Sequence, residues 1–225
     1  SGGSATLTSA TPSSISISGA AITLGVGISG TATGAETLTV NPASGTAIYD
    51  ASDNAAAASQ SNNTVSLNDQ QVPTISSVSL NSANTSLTVN WSEAVYTDTS
   101  AGALTAADFV LSISGGQATV AATPASISIS GTAITLGVTI SGTANGSETL
   151  TVNPASATAI YDANDNAAAA SQSNNTVSLT EKVVPTISSV SLNSANTSLT
   201  VNWSEAVYTD TDAGALTAAD FVLSI

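Results

Sequence analysis

The chain has 225 residues, with Lys182 as its only basic side chain against fifteen acids, and it contains no Cys, His or Met. A formal net charge of −14 disfavours nucleic acid and anionic membrane surfaces, because phosphate binding depends on Lys and Arg displacing counterions. Without Cys, His and Arg there is no disulfide or thiolate, no imidazole base and no bidentate oxyanion clamp, and no carboxylate spacing marks an acid and base pair for glycoside hydrolysis, so the chain reads as a non-enzyme.

No run of eighteen apolar residues is present to span a membrane as a helix. Ser, Thr, Ala, Asn and Gly dominate, as in a low-complexity stalk. Hydrophobic residues nevertheless make up 42%, and they alternate, which predicts a folded chain.

From Thr11 the chain reads TPSSISISGAAITLGVGISGTATGAETLTVNPASGTAIYD, and a near copy starts at Thr123. VPTISSVSLNSANTSLTVNWSEAVYTDT starts at Val72 and again at Val184, at the same offset. A period of about 112 residues matches a small domain with its own core. Between the two copies, period-two alternation predicts strands at 75–80, 87–91, 109–113, 126–130, 133–140, 148–153 and 176–179. Ser130-Gly131-Thr132 is the turn of a hairpin over 126–140. In the longest segment Ile134, Leu136, Val138 and Ile140 share one face. Trp91, Phe109, Leu111, Ile127, Ile129, Leu150, Val152, Val177 and Leu179 are expected to join them in the core. Seven short strands without helical periodicity predict an all-β, immunoglobulin-like antiparallel β-sandwich in tandem repeats of about 112 residues.

The order PTISSVSL, LTVNWSEAV, LTAADFVLS, a hairpin, ETLTV, IYDANDNAAAA and NTVSL resembles the bacterial Ig-like repeats of giant cell-surface proteins. Those repeats show a T-F-S-E-x-V strand, an L-t-a-x-n-F segment and a D-a-x-G-N loop. Here Trp91 and Asp165 stand in place of the Phe and the Gly. The resemblance covers the whole repeat and implies a β-sandwich that extends an adhesin, a swimming- or gliding-associated protein or an S-layer protein from a cell. It implies no catalytic site.

The family order puts a repeat start near Pro73 and Pro185, each after a polar exit segment. Residues 1–71 are then the C-terminal part of one Ig-like repeat, 72–183 a complete repeat, and 184–225 the N-terminal part of a third. Incomplete sandwiches leave an apolar face and open edges in water. The expected partners are therefore neighbouring repeats or identical chains joined head to tail, which builds an open filament. The other phase, two intact permuted domains at 1–112 and 113–225, stays open.

Acids cluster in two connections, with Glu93, Asp98 and Asp108 in one and Asp162 and Asp165 in the other. An Ig topology brings both connections to the end where the chain enters, next to Asp69. Carboxylates gathered without a cation repel one another unless a hard ion neutralises them. Asp69, Glu93, Asp98, Asp162 and Asp165 are thus candidate Ca²⁺ ligands, set against a plainer reading as Asx-turns. Zinc is excluded by the missing Cys and His. Trp91 beside Tyr96 has the makings of a sugar-stacking platform, but its inward strand position assigns it to the core.

The expected function is structural: an extended extracellular fibre or adhesin stalk at the cell surface, built by head-to-tail complementation of split Ig-like domains. The alternative is a Ca²⁺-dependent, lectin-like carbohydrate-binding module.

Overall fold

The computed structural model describes residues 3–225; residues 1 and 2, the start of the expected 1–71 part, lie outside the described residues. The described chain is all-β, with short antiparallel strands and two single-turn 3-10 helices. No helix among the described residues is long and apolar enough to cross a membrane.

The first third holds β1 (Thr6–Leu7), β2 (Ile15–Ser18), β3 (Ala21–Leu24), β4 (Ile28–Ser29), β5 (Thr37–Thr39) and β6 (Thr64–Ser66). These pair only two by two, as β1 with β4, β2 with β3 and β5 with β6. The middle holds β7 (Ile75–Leu80), β8 (Ser86–Trp91), β9 (Phe109–Ser114), β10 (Thr119–Val120), β11 (Ile127–Ser130), β12 (Ala133–Gly137), β13 (Ile140–Ser141), β14 (Thr149–Pro154) and β15 (Thr176–Ser178). Here the ladders extend into a four-stranded sheet, β11-β12-β8-β7, and a three-stranded sheet, β15-β14-β9. The last part forms one hairpin of β16 (Ile187–Leu192) and β17 (Leu199–Trp203).

Alternation explains which faces meet. Along β8 Leu87, Val89 and Trp91 are buried while Ser86, Thr88 and Asn90 are half-buried, and β14 repeats this with Leu150, Val152 and Pro154. The inward side chains of both sheets fall in one apolar cluster that includes Ile75, Val89, Trp91, Phe109, Ile134 and Leu150. The two faces bury each other, which is what a one-sided apolar pattern requires.

Some expectations need correction. The single strand expected over 133–140 is two, because β12 ends at Gly137 and β13 pairs with β10 instead. Ala121 N–H donates to the Thr139 carbonyl and Leu111 N–H to the Ala122 carbonyl, so this corner carries the chain from the four-stranded sheet toward β9. Strand β10, absent from the expected set, is the other half of the corner. Ile129 is not core but 47% exposed, because β11 is an edge strand that pairs with β12 alone. Ile127 and Val177 are partly buried, packed against the cluster. Ile160, Val95, Leu104 and Ala168 are core residues that alternation did not reveal, since they lie in connections rather than strands.

The same residues form the same local structure at both copies. Ile15↔Leu24 to Ser18↔Ala21 in β2–β3 reproduces Ile127↔Leu136 to Ser130↔Ala133 in β11–β12. The β16–β17 hairpin repeats the register of β7–β8, including the irregularity between the first and third residues of the leading strand. Burial differs, however. Nearly all buried apolar residues lie between Ile75 and Leu179.

Candidate metal centre

The two acidic connections are joined by backbone. Tyr96 N–H donates to the Tyr161 carbonyl at 2.7 Å and Tyr161 N–H to the Tyr96 carbonyl at 2.8 Å, a narrow antiparallel bridge between the segments after β8 and after β14. This bridge sets Glu93 close to Asp162. The linker is tied in by Asn166, whose Nδ2 donates to the Asp69 carbonyl at 3.2 Å and to Asp162 Oδ2 at 2.8 Å. As a result one carboxylate oxygen from each of Asp69, Glu93 and Asp162 lies within 4.8 Å of the other two.

Each acid has a different environment. Asp162 is almost wholly buried, and its Oδ1 accepts from Asn164 N–H and Asn166 N–H, both at 2.8 Å. This Asx-turn holds the carboxylate in place and leaves lone pairs on Oδ2 beyond the Asn166 bond. Asp69 Oδ1 accepts from Gln71 N–H at 2.9 Å. Glu93 is half-buried. Burial, then the charges of Asp162 and Asp69, push its carboxyl up to about 7. A group raised in this way is short of positive charge, not of hydrogen bonds alone.

Of the five candidate ligands, the structure brings together Asp69, Glu93 and Asp162. Asp98 instead closes its own loop, with Oδ1 accepting from Ser100 N–H at 2.8 Å and Gly102 N–H at 3.0 Å. Asp165 occupies a left-handed turn position at φ 70° and is outside the group. Asp108 is spent on the single-turn helix Ala106–Asp108: Oδ2 accepts from Thr105 N–H at 2.7 Å, and Oδ1 from the Thr97 hydroxyl at 3.0 Å. The three-acid group is oxygen-only and so fits a hard divalent cation, with water or backbone oxygens completing six to eight ligands.

Trp91 is 3% exposed and in the core, so it offers no stacking platform. Its Nε1–H is a buried donor without a partner among the described residues. One carboxylate that the sequence did not single out is Glu148, fully buried at the start of β14. Burial alone would raise it, but N–H groups of Gln117, Ala118 and Asn145 donate to its two oxygens at 2.9, 3.2 and 3.0 Å and hold it down to about 2. The packing leaves no room for more: a Cβ on Gly116, where φ is 56°, would collide with the Glu148 carboxyl. Glu36 serves the first third in the same way, accepting from Ala5 N–H at 3.0 Å and Thr33 N–H at 2.9 Å. Glu-Thr-Leu-Thr-Val in both copies is the signal that marks this anchor. No known protein family, curated protein or solved structure matches the chain.

Proposed function

We propose that the chain is a structural protein, a run of immunoglobulin-like β-sandwiches, repeated at the spacing of Val72 and Val184, that forms an extended fibre or adhesin stalk outside the cell, at its surface. Residues 72–183 are one whole sandwich in this reading, and 1–71 and 184–225 are parts of its neighbours. The observation that supports it most is reuse with little variation, since the registers of β2–β3 and β16–β17, a hairpin irregularity, the Glu36 and Glu148 anchors and the Thr-Asp caps at 105–108 and 217–220 recur. A spacer needs only length, which stacked copies of one module supply. The role of such a module is mechanical, because load along the chain is shared by the ladders of both sheets.

Ca²⁺ at Asp69, Glu93 and Asp162 belongs to the same reading. It would tie the linker to two connections of the following sandwich and so stiffen the junction. The acidic group also favours a second function, Ca²⁺-dependent carbohydrate binding, in which sugar hydroxyls complete the ion's shell. Glycan binding assayed with Ca²⁺ and with EGTA separates the two, since a spacer retains no sugar under either condition.

Single-molecule pulling tests the spacer. The 72–183 sandwich should unfold in one step that releases about 110 residues at about 3.5 Å each, or about 400 Å. Gradual extension without a discrete step would overturn the reading.

A further inference from the structure

The Glu36 and Glu148 anchors close the same turn with different residues. The first copy reads Thr33-Gly34-Ala35-Glu36 and the second Asn145-Gly146-Ser147-Glu148. Thr33 gives both its N–H and its hydroxyl to Glu36 Oε2, at 2.9 and 3.2 Å, whereas Asn145 gives its N–H alone to Glu148 Oε2, at 3.0 Å. The Asn145 side chain is engaged locally instead: Oδ1 accepts from Ser147 N–H at 3.0 Å and from the Ser147 hydroxyl at 2.5 Å. The glycine between them is dictated by the backbone. Gly146 sits at φ 81°, and a Cβ there would come 3.3 Å from Glu181 Cβ, so a side chain would meet both strain and crowding. With Asn in front of that obligatory Gly, the turn holds the only Asn-Gly pair in the chain.

We infer that Asn145 is a self-modification site, at which the folded chain converts its own asparagine to aspartate and isoaspartate without an enzyme. The attacking group is the Gly146 peptide nitrogen, whose N–H has no acceptor among the described residues and no neighbouring Cβ to shield it. Asn145, Gly146 and Ser147 are all exposed, so hydroxide reaches that N–H. Ser147 N–H is a donor only, so the Asn145 atom it meets is the carbonyl oxygen, which leaves Nδ2 on the other side without an acceptor among the described residues. Once hydroxide removes the Gly146 proton, the nitrogen electron pair attacks Asn145 Cγ. Negative charge builds on Oδ1, where the Ser147 N–H and hydroxyl already donate in the manner of an oxyanion hole. Nδ2 then takes a proton from water and leaves as ammonia, so the Cγ–Nδ2 bond breaks, the new bond from Gly146 N to Cγ stays, and a succinimide ring is closed. Water next adds to either ring carbonyl and breaks its bond to Gly146 N. Opening at Cγ leaves aspartate; opening at the α-carbonyl leaves isoaspartate, whose main chain runs through Cβ and Cγ. The balance is one water consumed, one ammonia released and one negative charge gained, with nothing oxidised or reduced.

The two products act differently on the anchor. Aspartate keeps an oxygen acceptor for Ser147 and the N–H bond to Glu148. Isoaspartate lengthens the main chain by a methylene inside a turn pinned on both sides, where Lys182 N–H donates to the Ala144 carbonyl at 2.8 Å and Leu179 N–H to the Glu148 carbonyl at 3.0 Å. The longer turn cannot keep both pins and the Glu148 contact, and its new carboxylate adds like charge beside Glu148. Thr33 has no amide to lose, so the two copies of the turn age differently.

The test uses the full chain, held at pH 8 in its native state and, in parallel, unfolded in urea. Samples are mapped by peptide mass spectrometry, which reads the exchange of NH for O, and isoaspartate is counted by enzymatic carboxyl methylation. In the native chain Asn145 should convert at least about tenfold faster than any other asparagine, and faster still as pH rises. Asn145→Thr, the residue of the first copy, should remove the site. Ser147→Ala, also the residue of the first copy, should slow native conversion by about threefold or more while leaving the rate in urea alone, which separates activation by the fold from the reactivity of any Asn-Gly pair. Aged parent chain should melt below fresh chain, and aged Asn145→Thr should melt with fresh Asn145→Thr. An Asn145 that converts in urea but stays intact in the native chain, a native rate no greater than that of other asparagines, or equal native rates for parent and Ser147→Ala would overturn the inference.

Discussion

Tyr96 and Tyr161 hold each other by a reciprocal pair of backbone hydrogen bonds, 2.7 and 2.8 Å long, and through that pair the separation of Glu93 and Asp162 is set by main chain rather than by side-chain choice. Two acids fixed together cannot relax apart, so repulsion is relieved by a proton or by a cation. Glu93 is raised to about 7 from an ordinary 4.5. The stabilising state is the protonated one: its contribution is complete below pH 4.5 and is lost as pH rises through about 7. In EGTA the melting temperature should therefore fall between pH 5 and pH 8. Glu93→Gln should flatten that slope and raise the pH 8 value, as followed by circular dichroism.

Calcium bound at the proposed site would reverse the sign, because it favours the ionised carboxylates. At pH 8 a hundredfold excess of Ca²⁺ over Kd should stabilise the chain by about 2.7 kcal/mol. Asp162→Asn should abolish the gain. Asp98→Asn should leave the gain intact, since Asp98 lies outside the group of Asp69, Glu93 and Asp162. Thermal melts with Ca²⁺ and EGTA decide this, and identical melts would reduce the group to solvated charge.

Glu148 and Glu36 titrate in the opposite direction. Both are held down to about 2, so their stabilisation is present above pH 4.5 and lost as pH falls from there through about 2. Glu148→Gln should remove the Glu148 share of this acid sensitivity, leaving that of Glu36, and lower stability at pH 7. An amide presents only one acceptor oxygen where three N–H groups converge. Melting curves of the variant and parent between pH 7 and pH 2 check it: parallel curves would mean that the anchor contributes nothing.

Alternation made the strands and most of the inward residues legible, because a period of two states directly which side chains share a face. It could not locate Ile160 or Leu104, whose burial depends on where connections fold back, nor the corner at 138–139, where a strand leaves one sheet for the other. The acidic triad was legible in part. Loop order placed Glu93 and Asp162 at the same end, but which acids come within reach of one another depends on how the connections fold, through the Tyr96–Tyr161 bridge and the Asn166 bond to the Asp69 carbonyl, and that carries no sequence signature. The Glu148 anchor escaped attention because a single Glu at the first position of the expected strand 148–153 looks like surface charge.

The core predicts its own asymmetry. Trp91→Ala in residues 72–183 should cost about 3–5 kcal/mol, whereas Thr135→Ala, on the outer face of β12, should cost well under about 1 kcal/mol. Trp91→Phe should cost far less than Trp91→Ala, since the lost area is offset in part by removal of the unpartnered Nε1–H. Urea denaturation gives all three values. Equal losses at Trp91 and Thr135 would reverse the assignment of faces.

Asn84 couples the β7–β8 hairpin to the segment after β15 by two hydrogen bonds to Thr180, 96 positions away, from a left-handed backbone at φ 59°. Glycine accepts that backbone and removes only the bonds, so Asn84→Gly should cost about 1–3 kcal/mol for two bonds lost at a buried site. Alanine removes the same bonds and adds a conformation it avoids, about 1 kcal/mol more. The expected order of stability is parent, then Gly, then Ala, the reverse of the ordinary preference for Ala over Gly within regular structure. Denaturation of the three proteins measures it, and an alanine variant as stable as the glycine one would show that the turn is free to leave the left-handed region.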